Sequence, residues 1–330
     1  MEKFIVITSI FKPTIAIKKF STLKDYKLIV IGDTKTPKSW KSQDVIYLSI
    51  GDQKKLRFNI LNKLPFNHYS RKMIGYLFAA SNGAEFIVDT DDDNIPLEKW
   101  SFPCFEGKFK KIQDDLGFVN IYQLYTNEKI WPRGLPLNLV NTDFRLSKKL
   151  NFEYSKIGIW QGLADEDPDV DAIYRLIINK PCYFDANDPI ILGKGTICPF
   201  NSQNTMIRKE LFPLLYLPAF VNFRFTDILR GLVAQPIMWL NGFHLGFTNA
   251  TVIQKRNIHD YMKDFQSEIP MYENVERIIE IVSTVISSSK SISENLYSAY
   301  EQLHRDNIVI KDELKLLNEW IGDINKYTYN

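Results

Sequence analysis

The chain has 330 residues, of which 45% are hydrophobic, 24% charged and 13% aromatic, and its formal net charge is +2. That is the composition of a soluble globular protein, large enough for one big domain with an appendage or for two domains, and too evenly charged for a dedicated nucleic-acid binder. Three scattered cysteines exclude a disulfide framework or zinc knuckle and fit a reducing compartment.

Met1-Glu2-Lys3-Phe4-Ile5-Val6 runs straight into a strand, with no signal-peptide pattern. No apolar run approaches the ~20 residues that span a bilayer. The expected location is cytoplasmic.

Three apolar runs, Phe4 to Ile10, Lys27 to Asp33 and Asp44 to Ile50, read as strands buried on both faces. Helical segments between them imply a βαβ-type parallel sheet. Thr8, Ser9, Gly32 and Asp33 fall at strand ends, where a nucleotide base and ribose would be held, or where ordinary turns form.

Tyr69 to Asn82 reads as a helix with Ser70 as its N-cap and Gly83 as its stop. Arg71 and Lys72 then sit at the positive end of the helix dipole. That misfit points to a nearby phosphate, with two solvated basic residues as the other reading.

Next come Phe86-Ile87-Val88-Asp89-Thr90-Asp91-Asp92-Asp93-Asn94, an apolar strand running into four carboxylates. So much negative charge is costly unless a cation shares it. Mn2+ or Mg2+ prefers oxygen ligands and leaves positions open for phosphates. The stretch thus reads as a metal–diphosphate site at a strand's carboxyl end, against the plainer reading of a solvated acidic turn.

Further along, Trp131-Pro132-Arg133-Gly134 is a punctuated loop able to cover a sugar. Asp165, Glu166, Asp167, Asp169 and Asp171 gather where a helix is expected to start near Pro168, and a carboxylate there facing a cleft suits a general base. Pro199 to Thr205 is polar and uncharged, so Asn201 and Gln203 suit sugar hydroxyls. Asp227 sits in an apolar run and needs a partner, with Arg224 and Arg230 the near choices. His259 follows Arg256 in a basic stretch. From Tyr272 apolar residues recur at helical spacing, broken at Ser287-Ser288-Ser289, giving a helical tail that packs on the first domain or makes a homodimer contact.

These segments together, from the Tyr69–Gly83 helix and Asp89–Asn94 through Pro132–Gly134, Gly162–Leu176, Pro199–Thr205, Phe223–Gly231 and Gln254–Asp264, resemble the STELLO-type glycosyltransferases. A weaker similarity reaches the reversibly glycosylated polypeptides, which include UDP-arabinopyranose mutases. Both resemblances imply an α/β GT-A (Rossmann-like) nucleotide-sugar-binding fold, here residues 1–271, with a helical appendage over 272–330 that lies outside the resemblance. Plant STELLO proteins are anchored in Golgi membranes, and with no anchor read in this sequence that location is not expected to carry over.

The resemblance implies a glycosyltransferase that moves a sugar from a nucleotide-sugar donor, a UDP-sugar first, to a hydroxyl acceptor such as a glycan. Asp91 and Asp93 would hold the Mn2+ or Mg2+, with Asp89 nearer the ribose or sugar. Asp169, then Asp167, would be the base, and Asp227 is a third catalytic candidate. His259 would close on the metal and Arg256 on the diphosphate. In mutase-like relatives an Arg matching Arg133 is associated with self-glycosylation, which makes a nucleotide-sugar mutase one alternative. A non-catalytic scaffold of the same shape is another.

Overall fold

The computed structural model describes residues 1–256 and 259–328. The strands are β1 (Lys3–Thr8), β2 (Lys27–Ile31), β3 (Val45–Leu48), β4 (Phe86–Thr90), β5 (Asn94–Pro96), β6 (Glu106–Ile112), β7 (Gly117–Phe118), β8 (Leu150–Asp165), β9 (Ile190–Ile191), β10 (Thr196–Ile197), β11 (Asn204–Arg208) and β12 (His244–Gln254). The helices are α1 (Ile15–Phe20), α2 (Ile50–Gln53), α3 (Lys72–Ser81), α4 (Ala172–Ile177), α5 (Thr226–Leu240), α6 (Tyr261–Val285), α7 (Ile292–Arg305) and α8 (Lys311–Thr328).

Ten strands form one sheet in the order β3-β2-β1-β4-β11-β8-β6-β9-β12-β5. The first four are parallel, and β11 then runs antiparallel to β4 and β8. The parallel strands read as unbroken apolar runs because both faces are covered. Phe4, Val6, Ile29, Ile31 and Ile87 point into one core with α3, α5 and the C-terminal helices. Ile5, Ile7, Leu28, Val30 and Val88 point into the other, with α1, Trp100 and Trp160. The architecture is a GT-A-like α/β fold with a helical C-terminal region.

Helix α3 lies close on β1: a Cβ at Gly75 would stand 2.4 Å from Val6 Cγ1. Its start differs from expectation. His68, not Ser70, caps the preceding 3-10 turn, its Nδ1 accepting from Ser70 N at 3.1 Å, and Ser70 is buried inside the turn. Likewise α4 begins at Ala172, not near Pro168, because Asp171 takes the cap and accepts from Tyr174 N at 2.8 Å.

The expected boundary at 271/272 falls within α6. Met271, Val275, Leu303, Leu317 and Trp320 share one core with Phe4 and Met73. Polar contacts fasten the same surface. Trp320 Nε1 donates to Pro213 O at 2.9 Å, and Asp323 accepts from Ile60 N at 3.0 Å. Glu313, fully buried, accepts from Ala219 N and Phe220 N at 3.0 and 2.8 Å. Among the described residues no helix is long and apolar enough to cross a membrane.

Candidate active site

A cleft of about 330 Å³ opens at the carboxyl ends of β1, β2 and β4, the usual ligand position of an open α/β sheet. Thr8 and Ser9 line it from β1, Gly32 and Asp33 from β2, and Asp91, Asp92 and Asp93 from β4. Tyr69 and Arg71 come from the turn before α3, Phe223 and Arg224 from the turn before α5, and Gln254, Arg256 and His259 from the end of β12 and beyond. A recess of about 90 Å³ adjoins it and adds Arg133, Asp169, Gln203 and Asp227.

The acidic wall is crowded. Asp91 Oδ1 accepts from Lys72 Nζ at 2.7 Å and from Tyr69 OH at 3.1 Å. Asp92 is bonded by the Ser9 hydroxyl. Asp93 Oδ2 accepts from Gln254 Nε2 at 3.3 Å, while its buried Oδ1 has no hydrogen-bond partner. Burial pushes Asp91 up to about 6; Lys72 pulls it back and Asp93 adds to the rise. Burial also raises Asp92 and Asp93, and Asp92 raises Asp93 further.

Among the described residues no three His, Cys, Asp or Glu side chains converge as a ready-made metal cage. His259 lines the same cleft, and its Nδ1 pairs with Asp264 Oδ2 at 3.1 Å. Asp91 and Asp93, the latter with an unmatched oxygen, fit a hard divalent cation held by two carboxylates whose other ligands come from substrate phosphates, and the Asp264 bond occupies only one ring nitrogen of His259.

The opposite wall is cationic. Arg256 is almost buried, its Nε has no hydrogen-bond partner, and its nearest carboxylate, Asp167, is 3.8 Å away. Burial lowers its pKa, and Arg224 and Arg175 lower it further, so it stands in want of an anion. Arg71 bonds Gln53 and stands 3.7 Å from Asp33. Asp33 itself accepts from Thr34 N and Asn67 N, both at 2.7 Å.

Two expected ligand contacts lie beneath the cleft floor. Lys72 and Asp89 are fully buried, with Lys72 Nζ 2.7 Å from Asp89 and Arg230 Nη1 donating to Asp89 at 2.7 Å. The Lys72 misfit at the helix start is therefore answered by Asp89 and Asp91 within the protein. Asn201 also lies below, donating to Asp169 at 2.8 Å, while Gln203 lines the recess and bonds Gln254.

Asp227 pairs with neither Arg224 nor Arg230. Arg133 reaches it through Nη1 and Nη2, both at 3.0 Å, and grips Asp169 through Nε and Nη2, both at 2.8 Å. Nη1 also donates to Arg224 O. The reason is competition: Arg224 is taken by buried Glu268 at 2.7 Å and Arg230 by Asp89. Burial works against ionised Asp169, but Arg133 beside it holds the carboxyl below its ordinary range. Asp167 bonds Arg175.

Tyr69, Gln254 and Phe223 were not singled out from the sequence, and Arg224 was named only as a partner for Asp227. Each lies within a residue or two of one that was named, and only the fold turns them into the same cleft.

The fold is GT-A-like, and the cleft lies at the carboxyl ends of its parallel strands. The family model described as STELLO glycosyltransferases matches residues 224–330. The chain is 27% identical over 98% of its length to "Probable glycosyltransferase STELLO1" of Arabidopsis thaliana, and 28% identical over 98% to "Probable glycosyltransferase STELLO2" of the same plant. The chain is STELLO-like along nearly its whole length, and it spans 44% of the length of those relatives. The helical tail lies inside this likeness, contrary to expectation. Its helices complete the same core, so they belong to the matched unit.

Proposed function

We propose that this chain is a glycosyltransferase that binds a nucleotide-sugar, a UDP-sugar first, in the cleft above β1, β2 and β4 and transfers the sugar to a hydroxyl acceptor. The observation that carries this is the pairing of walls. Asp91 and Asp93, with an unmatched carboxylate oxygen, face the same space as Arg256, a nearly buried cation with an unmatched nitrogen. A cation–diphosphate pair satisfies both. Asp91 and Asp93 would hold Mn2+ or Mg2+, which as a Lewis acid would neutralise the leaving nucleoside diphosphate.

Arg256 would bind the diphosphate and Phe223 would cover the recess. Asp169 lines the recess as an ionised carboxylate and is the candidate to receive the acceptor's proton, with its basicity reduced by Arg133 and Asn201.

The mutase alternative needs Arg133 as a nucleophile. All five of its N–H groups donate within the protein, and Asp169 and Asp227 outweigh burial to hold its pKa well above normal. That leaves no free nitrogen for a sugar.

The test is donor turnover. Incubation with a panel of nucleotide-sugars and Mn2+ should release a nucleoside diphosphate from one of them, and chelation or Asp93→Ala should stop it. No release from any donor, with or without candidate acceptors, would defeat the proposal.

A further inference from the structure

A second cleft, of about 310 Å³, lies on the far side of Arg256 and shares that residue and Gln254 with the proposed donor cleft. Four cations line it, Arg175, Lys180, Lys255 and Arg256, against two carboxylates, Glu166 and Asp167. Lys255 and Glu166 cancel, with Nζ at 2.7 and 2.6 Å from the two carboxylate oxygens. Asp167 alone is left to serve two arginines: it bonds Arg175 and lies 3.8 Å from Arg256.

Among the described residues Lys180 makes no ion pair. The arginine side chains are 4% and 9% exposed, and the Nε of each is buried without a hydrogen-bond partner. Guanidinium groups left like this are matched by oxyanions, whose two oxygens fit the fork.

We propose that this side cleft seats an anionic oxygen group, phosphate or carboxylate, carried by the acceptor whose hydroxyl receives the sugar. The assignment as acceptor rests on the glycosyltransferase reading. The placement follows from the shared wall: an acceptor anchored on Arg175 and Lys180 lies next to Arg256 and Gln254, which border the donor cleft. With Arg256 assigned to the donor diphosphate, a neutral acceptor would leave Arg175 and Lys180 to share Asp167.

The test uses two probes, inorganic phosphate and glucuronate, titrated calorimetrically into wild type, Lys180→Glu and Asp93→Ala. Lys180 is exposed, so its replacement should leave the fold intact; Lys180→Gln, with a melting temperature matched to wild type, serves as the second variant. The expected result is saturable binding of at least one probe by wild type, weakened ~10-fold or more by Lys180→Glu and kept by Asp93→Ala. Binding of phosphate alone would name a phosphorylated acceptor, and binding of glucuronate alone an acidic sugar.

No saturable binding by wild type would overturn the proposal. So would equal affinity in all three proteins, or binding that Asp93→Ala loses and Lys180→Glu keeps, since that would place the anion in the donor cleft. Binding of nucleoside diphosphate with Mn2+, measured on the same proteins, separates failure of this proposal from failure of the donor reading.

Discussion

Arg133 grips Asp169 with two parallel hydrogen bonds, Nε to Oδ1 and Nη2 to Oδ2, both 2.8 Å long. The same guanidinium carries Asp227 on its other edge. Removing it would leave two nearly buried carboxylates facing each other unpaired. Arg133→Met should therefore cost about 3–5 kcal/mol, and Arg133→Lys should recover only part, because an ammonium cannot match two forks. Urea unfolding of the three proteins checks this. A cost below about 1 kcal/mol for Arg133→Met would mean the cluster relaxes freely.

The acidic wall should show the opposite balance. Asp93 is half-buried beside Asp92 with its Oδ1 buried and unmatched, so charge is being crowded rather than relieved. In chelator at pH 8, Asp93→Asn should be more stable than wild type by about 1 kcal/mol, since it removes like-charge repulsion. Added Mn2+ should raise the melting temperature of wild type and leave the variant unmoved. A destabilised Asp93→Asn that still responds to Mn2+ would place the cation elsewhere.

Asp171 gives a pH signature away from that wall. Burial pushes its pKa up to about 6, against bonds from Tyr174 N and Trp131 Nε1 that pull it down. The folded protein therefore keeps a proton between about pH 4 and 6 that the unfolded chain has released. Stability from this group falls as pH rises through that window, by about 3 kcal/mol, and the loss is complete above it. Asp171→Asn cannot titrate. Its stability relative to wild type should rise between pH 4 and 7, read from denaturant midpoints at each pH. Parallel profiles would refute the shift.

How far the sequence carried the structure depended on the range of each interaction. The parallel strands and the acidic strand end were legible because burial on both faces leaves unbroken apolar runs and Asp91–Asp93 are contiguous. The partner of Asp227 was not. Arg224 and Arg230 are near in sequence but committed to Glu268 and Asp89, and Arg133 arrives from 94 residues away. Lys72 and Asp89 looked like ligand contacts, and only the sheet geometry closes them over each other. At α4, Pro168 marked a helix start too early, since Asp171 supplies the cap bond that fixes the first turn.

The tail should behave as core, not appendage. Trp320 is fully buried and bonded to Pro213 O. Trp320→Ala should cost about 3–5 kcal/mol and lower the single melting transition of the whole chain. A separate low-temperature transition, with the main one unmoved, would show an independent tail.

The central claim is a nucleotide site between Asp93 and Arg256. The most direct measurement is calorimetric titration of nucleoside diphosphates, UDP first, into wild type, Asp93→Ala and Arg256→Ala, with and without Mn2+. One nucleotide should bind wild type only with the metal, and each substitution should weaken it ~100-fold or more, the range for losing a charge-assisted contact in a buried site. Absence of binding for every nucleotide under both conditions, or binding that neither substitution alters, would contradict the account.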